Sequence, residues 1–116
     1  MEIPEFVPVD EQACILGNHK WNVPRLIFLS RNLPVINIPL DHLNIYTVYT
    51  EVTLREMVMH MNAVMNADLN KPIILDEDGD IMDGRHRIMK ALFLKKKTIK
   101  AVRFDVNPYP DSIQEN

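Results

Sequence analysis

The sequence predicts a small α+β domain, and three observations carry that prediction. The first is an amphipathic helix over 54–65. Leu54, Met57, Val58, Met61, Val64 and Met65 recur at steps of three and four, which places them on one helix face. The second is a pair of short apolar runs, 72–75 and 81–82, separated by Asp76-Glu77-Asp78-Gly79-Asp80. That is the pattern of two strands and a tight turn. The third is a helical stretch at 85–94, followed by a segment at 98–104 whose Ile99, Val102 and Phe104 read as a strand.

Each element has a local cause. Thr53 stands where a helix cap belongs, with Glu56 three residues on, the capping-box arrangement. Residues 66–70 end that helix, and its methionines read as core packing. Gly79 is free to take a positive φ in the tight turn. In the helix at 85–94, Ile88, Ala91 and Leu92 are expected inward, and Lys95, Lys96 and Lys97 suit the negative end of its dipole. Upstream the pattern is weaker. Residues 35–38 read as a strand before the turn Pro39-Leu40-Asp41, 25–30 as a short helix or strand, and 45–50 as a strand rich in Tyr, Thr and Val. Residues 1–20 show little periodicity and are punctuated by Pro4, Pro8 and Gly17-Asn18. We therefore divide the chain into an N-terminal arm or extra edge elements at 1–35, a domain at 36–106 and a flexible tail at 107–116.

Composition narrows the function classes. A chain of 116 residues, 47% hydrophobic and 25% charged, is one ordinary globular domain. A net charge of −3 argues against a non-specific nucleic-acid binder. Charge is uneven, however, because 8 of the 13 Lys and Arg fall within 85–103. A single cysteine, Cys14, can form neither an internal disulfide nor a thiolate metal site. With no signal-like N-terminus and no apolar run of membrane length, a cytoplasmic protein with no membrane contact is expected.

The chemistry concentrates at Asp83-Gly84-Arg85-His86-Arg87, where a strand ends and a helix begins. A helix start offers unpaired N–H groups and a partial positive charge. Two arginines and a histidine at that point suit phosphate or another compact anion. Asp83 caps the helix or holds an arginine; alternatively it helps bind Mg²⁺ beside a nucleotide. Arg87 paired with Asp83 or Asp80 is the plain structural alternative. Asp76, Asp78 and Asp80 read as a turn, because glycine sits at the wrong position for a calcium loop and no distal glutamate follows. His19, His42 and His60 are scattered without ligand spacing, so no metal site is expected.

Ile38-Pro39-Leu40-Asp41-His42-Leu43, then a helix, then Lys71-Pro72-Ile73-Ile74-Leu75-Asp76, then Asp83-Gly84-Arg85-His86-Arg87 with Ala91 make an ordered series. On these residues, 36–104 resembles the ParB/sulfiredoxin-like superfamily. The resemblance implies a mixed sheet with packed helices. It also implies a nucleotide, CTP or ATP/ADP with Mg²⁺, held by Gly84, Arg85, His86 and Arg87. Sulfiredoxin chemistry is excluded, because Arg85 stands where that cysteine belongs. The helix-turn-helix region that follows in ParB proteins is not expected within these 116 residues. Free-serine kinases of the superfamily carry a close version of the motif and an upstream carboxylate, for which Glu51 is the candidate. Three functions follow. The first is a nucleotide- or phosphate-binding domain that switches a DNA or protein interaction. The second is an enzyme, a phosphotransferase or nuclease, with Glu51 or Asp83 as base. The third is a DNA- or protein-interaction module using the basic face at 90–103, its motif merely structural. Residues 1–35 are available for a homodimer contact.

Overall fold

The computed structural model describes residues 13–46 and 51–114. Among the described residues, seven strands, three α-helices and a 3-10 turn follow one another. They build two sheets: one of four strands, which carries the core, and one of three strands, which covers one of its faces.

The four-stranded sheet contains β3 (Ile36–Pro39), β4 (Ile73–Leu75), β5 (Ile81–Asp83) and β6 (Thr98–Arg103) in the order β3-β6-β4-β5. β6 runs antiparallel to β3 and parallel to β4, and β4 runs antiparallel to β5, so the sheet is mixed. Strand alternation divides its side chains between two cores. Ile73, Leu75, Ile99 and Ala101 face one side, where Ile88 and Ala91 of α3 (Arg85–Phe93) cover them together with Leu40 and Leu43. Ile74, Met82, Val102 and Phe104 face the other, against Cys14, Trp21 and Leu26.

Trp21 and Cys14 come from a hairpin, β1 (Ala13–Leu16) and β2 (His19–Asn22). Leu16 pairs with His19 across a turn in which Gly17 has φ +61°. The irregularity expected before residue 20 therefore does not hold for 13–22. Gly-Asn between two short runs is a hairpin signal in its own right. The tail expected to be loose pairs with this hairpin through β7 (Ser112–Ile113). It is tied down further by the Trp21 indole N–H donating to Pro108 O at 2.9 Å and the Asn22 amide donating to Asp111 Oδ2 at 2.6 Å. α1 (Val23–Ser30) settles the helix-or-strand alternative at 25–30 as helix, with Pro24 in the first turn, where its missing N–H costs nothing.

α2 (Leu54–Met65) begins as expected, with Thr53 Oγ1 accepting from the Glu56 amide at 3.1 Å. Its packing differs from expectation. No residue of α2 is buried, and its apolar stripe points outward. The sheet face is already covered by α3 and the 3-10 turn Leu40–His42, so α2 lies outside α3. Lys90 Nζ holds its C-terminal end by donating to Met65 O at 3.2 Å and Ala67 O at 2.7 Å. Leu92, expected inward, is exposed as well. α3 ends with Lys95 at φ +58°, a backbone shape usually left to glycine. Of the strand expected at 45–50, residues 47–50 lie outside the described residues, and Ile45 and Tyr46 are not in a strand.

Candidate site at the start of helix α3

Gly84 alone links β5 to α3, at φ +110° and ψ +20°. A Cβ built there would lie 2.8 Å from Ile73 Cβ and closer still to its Cγ2. Ile73 is fully buried in β4. Glycine is thus demanded by the turn and by helix-on-strand packing; close approach of a ligand is not needed to explain it. Gly84 supplies no side-chain cap, and the first turn of α3 holds no acid. Its first amides therefore remain available for an anion.

Asp83 and Arg87 are brought together. Arg87 Nη2 donates to Asp83 Oδ2 at 2.7 Å, and Nη1 donates to Pro72 O at 2.7 Å. Both side chains are largely buried. Of the alternatives for Asp83, holding an arginine is the one observed. Arg87 joins the first turn of α3 to the end of β5 and the entrance of β4. Arg85, in contrast, is exposed and takes part in neither ion pair found among the described residues.

His86 meets a residue that sequence reasoning set aside. His60 Nδ1 lies 2.9 Å from His86 Nε2, with ring centroids 5.1 Å apart. Their separation of 26 positions in the chain hid this pair. One ring must donate and the other accept. Burial, and then the neighbouring His60, push His86 below its ordinary value of 6.5, while Asp83 pulls the other way and Arg87 adds to the depression. His86 is therefore neutral at pH 7 and offers a hydrogen bond there, not a charge. The unfolded chain takes up this proton first as pH falls, so the full contribution is present above 6.5 and is lost on the way down to the folded value. The melting temperature is expected to fall from pH 7 to about 5.5, with a shallower slope in His86→Gln. Equal slopes in the two proteins would remove His86 as the cause.

These groups open onto a cleft of about 960 Å³. Its lining includes the polar residues Arg85, His86, His60, Lys71, Arg31 and Asp68 and the apolar residues Val23, Ile27, Leu33 and Val35. Glu51 sits exposed before α2 and is not among the described residues that line the cleft. Cys14, distant in sequence, packs beneath with Ile74 and Met82, and burial pushes its thiol up to about 11. It is protonated and unreactive at neutral pH.

Asp76 lies away from this cleft and organises its own turn. Asp76 Oδ1 accepts from the amides of Asp78 at 2.9 Å and Asp80 at 2.8 Å. The three carboxylates approach within 4.8 Å of one another, close enough to group around a cation. Among the described residues no helix is long and apolar enough to cross a membrane. No protein-family model matches this chain, and no curated protein sequence is significantly similar to it.

Proposed function

We propose that the cleft binds a nucleotide or a similar phosphate-bearing ligand in a ParB/sulfiredoxin-like domain, and that binding switches a DNA or protein interaction. The observation that carries this reading is the uncapped start of α3, with exposed Arg85, opening into the cleft. A volume of about 960 Å³ suits a ligand of nucleotide size. The amides of the first turn and Arg85 receive a phosphate, with Lys71 as a second cation lining the same cleft. His86 contributes a neutral hydrogen bond. The apolar wall at Ile27, Leu33 and Val35 takes the base or another flat group. Arg87, engaged with Asp83 and Pro72, positions the helix start.

The test is thermal unfolding with CTP, ATP, ADP, GTP and inorganic phosphate, with and without Mg²⁺, on wild type and Arg85→Ala. Arg85 is the informative position because its side chain is exposed and joins neither ion pair among the described residues, so its truncation is expected to spare the fold. A ligand at 100 times its Kd adds about 2.7 kcal/mol, a rise on the order of 10 °C for a domain of this size. The rise should shrink or vanish in Arg85→Ala. No rise with any of these ligands would sink the reading. A rise undiminished in Arg85→Ala would move the ligand elsewhere.

A further inference from the structure

α2 presents an apolar stripe that nothing among the described residues covers. Leu54 is 90% exposed, Met61 56% and Met65 75%, and Phe93 of α3 is 80% exposed. Met57 and Val58 complete the stripe. Beside it, between α2 and α3, runs a groove of about 290 Å³ lined by Met57, Met61, Val64, Met65, Met89 and Phe93, among others. A helix of 12 residues is marginal by itself, and its stability comes mainly from packing of its apolar face. Among the described residues α2 has none that is fully buried, and Met59, His60, Ala63 and Val64 are half-buried.

We infer that this face is a symmetric homodimer interface, the α2–α3 surface of one copy packing on the same surface of a second. Area is the first argument. At these exposures the six residues Leu54, Met57, Val58, Met61, Met65 and Phe93 present on the order of 800 Å² of largely apolar surface. That exceeds the largest patch of a typical monomer and equals what each partner buries in a standard stable interface. Charge is the second. A two-fold contact sets each residue against its own surroundings in the partner, so a charge on the stripe would meet a like charge. The stripe has none. The two charged residues of α2, Arg55 and Glu56, are opposite in sign and adjacent, and the helical turn of about 100° per residue puts both off the stripe. Methionine supplies the third argument. Its flexible thioether lets two identical surfaces adjust to each other without a prior fit.

The experiment is sedimentation equilibrium of the full 116-residue chain at roughly 100 µM, well above the Kd of a stable interface of this size. A mass of twice 13.5 kDa is expected, falling to one chain in Leu54→Glu and in Met61→Glu. Both positions are exposed, so the far-UV spectrum should be unchanged. Met61→Cys supplies a readout that does not depend on disruption. It should form a disulfide-linked dimer under mild oxidation, while Asp105→Cys does not; the native Cys14 is buried and stays out of the reaction. Wild type at the mass of one chain overturns the inference, whatever else covers the stripe. So does a dimer that survives both glutamate substitutions and leaves Met61→Cys without a cross-link, because the contact then lies on another face.

Discussion

Gly84→Ala is expected to lower the melting temperature by roughly 10–20 °C. Two costs combine. The backbone at φ +110° is one that a Cβ disfavours, by about 1–2 kcal/mol on the scale of left-handed residues. The added methyl also meets Ile73 of β4, which cannot retreat because it is fully buried beneath α3. Forced overpacking of that kind adds roughly 1–3 kcal/mol. A domain holds only about 5–15 kcal/mol in all, and at this length each kilocalorie is worth roughly 4 °C. Gly84→Asn separates the two costs, since asparagine tolerates a left-handed backbone better than other residues but carries the same Cβ. Thermal unfolding followed by circular dichroism gives the comparison. Equal losses in both variants identify the contact with Ile73 as dominant; a milder loss with asparagine identifies the backbone. A loss below 3 °C in Gly84→Ala would contradict the packing described here.

Arg87→Ala should cost about 2–3 kcal/mol, read from urea unfolding. Truncation leaves Asp83 partly buried without its cation and Pro72 O without its donor. Removing one partner of a fully buried pair costs about 3–5 kcal/mol, and the figure is reduced here because both side chains keep some contact with water. Arg87→Lys should recover little, since one ammonium cannot reproduce the fork that reaches both acceptors. The double variant Asp83→Ala/Arg87→Ala should be less destabilised than the sum of the singles, by roughly 1–2 kcal/mol. Strict additivity would show that the pair does not hold α3 in place. Because Arg87 holds the helix start, ligand binding lost in Arg87→Ala would mix displacement of α3 with loss of a cation, which is why Arg85→Ala is the cleaner probe of the cleft.

Local signals carried much of the fold. Thr53 and Glu56 announced α2, the Gly79 turn joined β4 to β5, and the change of period after Gly84 marked α3. The missing pieces depend on residues far apart. β2 is short, and one of its two neighbours is β7, a pairing no local window contains. The outward stripe of α2 has the period of a buried one; periodicity reports that a face exists, not what covers it. At the site, the motif from Asp83 to Arg87 was visible and its division of labour was not. Whether Arg87 or Arg85 is committed to structure depends on Pro72 O, and the partner of His86 comes from another helix.

The seam between the hairpin and the C-terminal segment sets the order in which the chain can be completed. Trp21 emerges from the ribosome 87 residues ahead of Pro108, its hydrogen-bond acceptor. At roughly 5–20 residues per second, that is an interval of about 4–17 s. Throughout it, β2 has β1 on one side and an open row of amides and carbonyls on the other. Such an edge is a template for strands of other chains. Pairings of this sequence separation are also slow to form, because the loop entropy is lost before the contact is gained. A nascent chain stalled short of residue 108 therefore lacks the partner of β2, and arrival of the segment from Pro108 to Ile113 covers that edge with β7.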